Sequence, residues 1–282
     1  MRRTHFAAVL GLGSLIVPAN AGEAPLIGVE EDTGDFYAIS TADASLQLIG
    51  HSGITGLGAL EFNPSDGFFY GFTTGDNSVL YRFYVSPALD SVAGMPVGSL
   101  GLGFVYEGAL AFAPDGTAYA MNGGTLVPSL LTLDLGTGEA TIVASMQNRH
   151  DIAGLGWRSD GVLIGLDSTD NDLLVINPAN AAVSLIDDVT PTIGGVGGMA
   201  LFADTGYFVT AGLLAGVPPG VSPGSNALYS FDPLTGEHFF IGSFDNVILG
   251  SGFSGLAIVP EPGSLALLVI AGIPLLVHRR EP

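Results

Sequence analysis

Between residues 22 and 259 the chain alternates short apolar runs with Gly, Pro, Asp and Asn, and the alternation repeats. Phe36-Tyr37-Ala38-Ile39, Leu80-Tyr81-Arg82-Phe83, Leu130-Leu131-Thr132-Leu133, Leu173-Leu174-Val175-Ile176 and Leu228-Tyr229-Ser230-Phe231 open units whose starts are 44, 50, 43 and 55 residues apart. Runs this short, bounded by turn residues, predict strands rather than helices. The segments Leu228 to Gly242, Phe36 to Gly50 and Leu130 to Ala144 align over 15 residues without a gap. Each reads as strand, polar turn, strand, which is a hairpin.

A second element precedes each hairpin. Gly58-Ala59-Leu60-Glu61-Phe62-Asn63-Pro64 matches Gly108-Ala109-Leu110-Ala111-Phe112-Ala113-Pro114, with shorter forms at Gly154-Leu155-Gly156-Trp157 and Gly198-Met199-Ala200-Leu201-Phe202. Asp-Gly or Thr-Gly follows, as at Asp66-Gly67, Asp115-Gly116, Asp160-Gly161 and Thr205-Gly206, and then another apolar run. Each unit therefore predicts four strands. The first unit, from Leu26, lacks the Gly-Leu-Ala type strand, and Ser254-Gly255-Leu256-Ala257-Ile258-Val259 supplies one with no unit after it. Complementary ends suit a closed ring. The fold class is all-β: a single β-propeller of five four-stranded blades, closed by pairing the N- and C-terminal strands.

The flanks differ from this body. Arg2 and Arg3 precede the apolar run Phe6 to Val17, and Ala19-Asn20-Ala21 offers a small-residue cleavage site. Residues 1–21 read as a secretory signal helix removed after Ala21 by signal peptidase. At the other end Pro260-Glu261-Pro262 leads into the apolar stretch Leu265 to Val277, interrupted by Pro274, and then Arg279-Arg280. That short hydrophobic helix falls below the roughly 20 residues that span a bilayer comfortably. Arg pairs at both ends predict that the ends stay cytoplasmic while the body is exported.

This tail, residues 260–282, resembles the PEP-CTERM sorting signal of Gram-negative bacteria: the tripeptide, a short apolar helix and a terminal Arg cluster. Such tails also carry the description "ice-binding protein C-terminal", which implies no ice binding. The resemblance implies recognition of Pro260, Glu261 and Pro262 by an exosortase-type membrane protease, transient membrane anchoring by the apolar helix with Arg279 and Arg280 behind it, and delivery to the cell surface or extracellular matrix. The body, residues 22–259, resembles NHL- and YVTN-type propellers through its strand, Pro-Asp-Gly turn and strand pattern. Those motifs describe strands and turns and imply no chemistry.

Composition sharpens the picture. The chain has 42 Gly, 17 Pro, no Cys and no Lys. Without Cys there is no disulfide, thiolate metal site or thiol nucleophile; without Lys there is no Schiff base. Four of the seven Arg lie in the flanks, so the body carries three Arg against 25 acids, a net charge of −22. A body so acidic excludes electrostatic nucleic-acid binding.

Candidate chemistry is sparse. His51, His150 and His238 have no metal-ligand spacing and read as surface or turn residues. The Gly250 to Gly255 stretch has a G-x-G-x-x-G spacing but precedes a strand, so it fails the context of a dinucleotide site. Asp167, Asp170 and Asp172 align onto Glu30, Asp32 and Asp35, both sets between the second and third strands of their blades. Such acids are either calcium ligands or solvated turn residues. Gly212 to Asn226 reads as a Gly/Pro loop on one face, and Trp157 with the repeated Phe and Tyr residues as core.

The resulting expectation is a non-enzymatic propeller at the cell surface that binds an extracellular polysaccharide, a surface protein or an ion through its loops. The alternatives are a secreted lyase or hydrolase using the axial face, and a matrix component without a specific ligand. Carboxylates, His or Arg converging on the axis favour the enzyme; a closed axis lined by Gly and Ala favours binding.

Overall fold

A computed structural model describes residues 26–123, 127–146, 151–189, 196–202, 204–210, 226–244 and 252–259. Every regular element among them is a strand, and none is a helix long and apolar enough to cross a membrane. The expected signal and C-terminal helices, and all but the last residue of the Gly212 to Asn226 loop, lie outside the described residues.

Five four-stranded antiparallel sheets form five blades. The first joins β1 (Leu26–Glu30), β2 (Asp35–Ile39) and β3 (Leu46–His51) to the last strand of the chain, β22 (Phe253–Ile258). The second holds β4 (Glu61–Asn63), β5 (Phe68–Phe72), β7 (Val79–Val85) and β8 (Val92–Ser99). The third holds β10 (Glu107–Phe112), β11 (Ala118–Gly123), β12 (Ser129–Leu133) and β13 (Ala140–Ser145). The fourth holds β14 (Ile152–Trp157), β15 (Leu163–Asp167), β16 (Asp172–Ile176) and β17 (Val183–Asp188). The fifth holds β18 (Val196–Phe202), β19 (Thr205–Thr210), β20 (Ala227–Phe231) and β21 (His238–Ser243). A two-stranded ladder, β6 (Gly75–Asp76) with β9 (Phe104–Val105), links the second and third blades and has no counterpart in the repeat pattern.

The inner strands β22, β4, β10, β14 and β18 adjoin one another around the axis. Burial on both faces explains why β1 reads as the unbroken apolar run Leu26-Ile27-Gly28-Val29 rather than as alternation. Its neighbours split between two cores. Leu26 packs with Phe253, Leu256 and Ile258 against Val209 and Leu228 of the fifth blade. Ile27 and Val29 pack with Phe36 against Leu60, Phe69 and Phe83 of the second. Three further clusters fill the remaining gaps between blades, so each core belongs to two neighbouring sheets. No blade can bury its own apolar faces alone.

Closure is as expected. Leu26 pairs with Ile258, Ile27 with Ala257 and Gly28 with Leu256, which staples the two ends of the body into one sheet. At the outer rim all five blades place a β-bulge between their third and fourth strands, after Phe36, Leu80, Leu130, Leu173 and Leu228. The bulge adds twist to each short edge strand and makes it a poorer template for another chain.

Gly255 shows how tight the axis is. A Cβ there would lie 2.5 Å from the Leu60 nitrogen and 2.8 Å from the Ala59 carbonyl carbon, both backbone atoms of the neighbouring blade. Gly255→Ala is therefore expected to lower stability by about 1–3 kcal/mol, a Tm drop of roughly 3–10 °C for a body of this size. Gly103→Ala, where nothing lies within 4 Å, should leave the Tm unchanged. Thermal unfolding followed by circular dichroism checks both.

Candidate functional site

The inner strands run side by side along the axis, so equivalent repeat positions stack as rings. The ring Ala59, Ala109, Gly154, Gly198 and Gly255 is small throughout, and the next, Leu60, Leu110, Leu155, Met199 and Leu256, is large and apolar. Together they line a waist of about 10 Å3, barely room for one water. A Cβ on Gly198 would come within 3.1 Å of the Gly255 backbone, closer than side chains ordinarily pack. The waist divides the axis into two blind mouths.

The upper mouth, at the starts of the inner strands, is a cavity of about 200 Å3 lined by Glu31, Thr74, Tyr106, Glu107 and Phe253, with the small residues Gly58, Gly108, Ala153 and Gly197 behind them. Where four blades place Leu57, Ile152, Val196 and Phe253, the third places Glu107. Burial and the neighbouring Asp151 carboxylate push the Glu107 carboxyl up to about 7, so Glu107 and Asp151 share a proton near neutrality. The Ser168 hydroxyl donates to Glu107 across the blade boundary at 3.2 Å. Glu31 is raised as well, by burial first and then by Asp32 and Glu30. Beside the mouth the β6–β9 ladder holds Phe104 and Tyr106 outward, 48% and 57% exposed, with ring centroids 6.4 Å apart.

The lower mouth, at the ends of the inner strands, is a cavity of about 180 Å3. Its collar is the ring Phe62, Phe112, Trp157, Leu201 and Ile258, extended by Phe202 and Pro64. One ring earlier the repeat places Ala111, Gly156, Ala200 and Ala257, and the second blade places Glu61. Burial pushes the Glu61 carboxyl up to about 8, while the Phe62 N–H, donating at 2.9 Å, pulls the other way. Trp157, expected in the core, does pack on Tyr119 with centroids 5.6 Å apart, but it also lines this mouth.

The acidic loops have a structural meaning. Glu30, 1% exposed, accepts the Thr33 N–H at 2.6 Å; Asp167, fully buried, accepts the Thr169 N–H at 2.8 Å and the Asp170 N–H at 3.4 Å. Each folds back to cap its own turn, Asp167 in the Asx-type geometry that short acids favour and Glu30 with its longer side chain one residue further on. That accounts for the gapless match between the two segments. Asp32 and Asp170 are exposed, and Asp35 and Asp172 are half-buried. The loops sit on the first and fourth blades, which are not neighbours, and the structure does not bring them together. Among the described residues no group of three or more His, Asp or Glu side chains is arranged to hold a metal.

The remaining polar candidates are away from the axis. His51 contacts Asp35 at 3.0 Å, and His238 contacts its own turn at the Gly236 carbonyl. Arg82 lies over the Phe68 ring at 5.2 Å. Arg158 is held by Asp160 and by the Pro233 carbonyl at 3.3 Å. His150 and the processing residues Ala19, Ala21, Pro260, Glu261, Pro262, Arg279 and Arg280 lie outside the described residues, as does Gly250. Gly252 leads into β22, so no helix follows the G-x-G-x-x-G stretch.

The axis thus answers the question posed by the sequence in two parts: its waist is closed and small-lined, and carboxylates gather at one mouth. Glu107 and Glu61 were missed as site residues. The available signal was their departure from the apolar or small residue that the other blades place at those positions.

A model of the family described as a repeat of unknown function, DUF6923, matches residues 28–210. The match stops short of the third strand of the fifth blade and of the closing strand. No curated protein matches the chain. Among solved structures, a chain of the nidogen/laminin complex is similar at 10% identity with a TM-score of 0.53, covering 84% of this chain and 99% of that one. A protein of unknown function from Bacteroides thetaiotaomicron VPI-5482 is similar at 16% identity with a TM-score of 0.53, over 79% of this chain. The chain matches only 56% of that protein's length. At these identities the likeness is one of fold alone.

Glu107 gives a test of the upper mouth. The folded chain holds its proton up to about pH 7, whereas an unperturbed glutamate releases it near 4.5. The folded state therefore binds more protons across that window, and its stability falls as pH rises through it. Glu107→Gln should be more stable than the parent at pH 8, by roughly 1 kcal/mol after solvent screening, and equal to it at pH 4. Urea unfolding at the two pH values measures the difference.

Proposed function

We propose, since this chain belongs to the DUF6923 family of repeats of unknown function, that it is an exported cell-surface or matrix propeller that binds a cationic group of an extracellular partner without catalysis. The observation that carries the binding reading is the blind upper mouth: Glu31 and Glu107 line it, Phe104 and Tyr106 stand exposed beside it, and the waist prevents passage. A cation entering there would draw the shared proton off Glu107 and meet aromatic faces, which attract positive charge. The body's net charge of −22 would steer such a partner.

Export rests on the two flanks: the Arg pair, apolar run and Ala19-Asn20-Ala21 at one end, and Pro260-Glu261-Pro262, apolar stretch and Arg279-Arg280 at the other. The mature protein on the cell surface is expected to begin at Gly22 and to lack Arg279 and Arg280. An intact mass that retains the Arg pair contradicts exosortase processing.

A second reading, a secreted lyase or hydrolase, draws on the Glu107 and Asp151 carboxyls, since a proton shared near neutrality suits general acid–base chemistry. Calcium is a proposal of the same standing, through Asp32 and Asp35 or Asp170 and Asp172, with Glu30 and Asp167 already committed to their turns. Calorimetry without heat at millimolar calcium removes it.

Hexalysine titration tests the cationic partner. It should bind the full chain, its ε-acetylated counterpart should not, and Glu31→Gln with Glu107→Gln together should weaken it at least ten-fold. A matching loss in Asp90→Asn with Asp134→Asn, two exposed acids in turns away from the mouth, would mean that only overall charge is being read.

A further inference from the structure

The lower mouth is an apolar recess inside an acidic rim. Its collar presents Phe112, Trp157 and Leu201 half-buried and Phe202 exposed, around a cavity of about 180 Å3. The turn that leaves each inner strand at this end carries one exposed aspartate: Asp66 after β4, Asp115 after β10, Asp160 after β14 and Asp204 after β18. The first blade has no such turn, because there the chain leaves the body. Ile258, the last residue of β22, is part of the collar, and Leu26, its partner across the ladder, opens β1.

We propose that in the unprocessed chain this mouth seats the chain's own C-terminal segment, with the side chains of Leu275, Leu276 and Val277 in the collar and Arg279 and Arg280 on the aspartate rim. Neither the cation-binding reading nor the export reading is needed for this: it requires only a chain that still carries residue 280. Removal of the Arg pair on processing would then vacate the mouth.

Charge favours this occupant. Leu275-Leu276-Val277 is followed directly by His278-Arg279-Arg280, so an apolar anchor and a cationic edge come in one short piece. The rim supplies the opposite sign. Asp115 and Asp204 hold only neutral donors among the described residues, the Thr117 N–H at 2.9 Å and the Ser159 hydroxyl at 3.2 Å. Asp66 accepts the Tyr70 hydroxyl at 2.7 Å, and Asp160 is held by Arg158. The arginines on this side of the body are already engaged, Arg158 by Asp160 and the Pro233 carbonyl, Arg82 over the Phe68 ring. An anionic lipid surface would meet the same aspartates and be repelled.

Size and tether agree. The cavity is below the roughly 300–1,000 Å3 of sites that enclose a drug-sized ligand, so it takes aliphatic side chains and not a whole molecule. Leu275 lies 16 residues beyond Val259, and an extended chain of that length reaches about 50 Å. The tether also raises the effective concentration into the millimolar range, so a segment of weak intrinsic affinity still occupies the mouth. Exposed ion pairs are individually weak, and the Arg pair therefore selects the seat while the apolar triplet holds it. Pro274 sets the triplet off from the apolar stretch before it, since proline does not continue a helix interior. The N-terminal flank joins the body at the same end but has the wrong order: Arg2-Arg3 come first, and Thr4-His5 separate them from Phe6.

A chain without cysteine allows a direct test by paired substitution. The full chain carrying Phe202→Cys and Leu276→Cys should form an intramolecular disulfide under mild oxidation, about ten-fold faster than one carrying Phe104→Cys, at the upper mouth, with Leu276→Cys. Adding Asp115→Asn and Asp204→Asn should slow the lower link about three-fold, as should raised salt. Asp76→Asn with Asp170→Asn, two exposed acids at the other end, should leave it unchanged. Equal rates at the two mouths, no link at either, or a disulfide formed between two chains overturns the proposal. So does a link from Leu10→Cys to Phe202→Cys in place of Leu276→Cys, which would give the seat to the N-terminal flank. A matching loss in the Asp76 and Asp170 variant overturns it too, because then only overall charge is being read. Circular dichroism of each variant confirms that the chain is folded.

Discussion

Five inner strands must pass one another at backbone distance on a common axis, and most of what distinguishes this propeller follows from that. The Gly255 backbone comes so close to Ala59 and Leu60 that a methyl group would not fit. Small residues at that level allow the approach, and the following ring of Leu and Met plugs it. The cores then lie between blades, because a sheet wedged against two neighbours buries both its faces. Closure follows in turn: without β22 beside β1, the first blade would lose its innermost strand and the two cores that it shares.

A plugged axis converts a channel into two separate pockets, and the chemistry of each comes from a single departure from the repeat. Glu107 replaces an apolar residue at the top and Glu61 a small one at the bottom. Both carboxyls are raised mainly by burial, so each is a cost to the folded state at neutral pH. Their surroundings differ. Glu107 has Asp151 and Ser168 around it, faces loop acids and lies near exposed aromatics, an electrostatic setting. Glu61 sits within an apolar collar, and among the described residues no other charged side chain lines that mouth. Strained or costly groups concentrated in concavities are the pattern that functional sites show.

Much of the fold was legible because propeller periodicity is written twice, once in the hairpins from Phe36 to Leu228 and once in the Gly-Leu-Ala strands. The complementary ends gave the closure, and β22 pairs with β1 as that reading requires. The β6–β9 ladder was not legible, since two-residue strands leave no periodic trace. The acidic loops leave two readings open in the sequence because a turn-capping acid and a metal ligand share the same residue types; burial and the turn hydrogen bonds set Glu30 and Asp167 apart from Asp32 and Asp170. The spacing of Trp157 fits the core, yet that position is also the rim of a mouth. Reading the repeat for its exceptions rather than its consensus points to Glu61 and Glu107.

The two ends of the body form one blade as stable as its neighbours. Native-state hydrogen exchange tests it directly, because a strand pair that opens alone exchanges at lower free energy than the whole. Amides of β1 and β22 should show the same protection as those of β14 and β15 in the fourth blade, all exchanging through global unfolding. Exchange of β1 and β22 through a separate, lower-energy opening, with the fourth blade still protected, would contradict the closed ring.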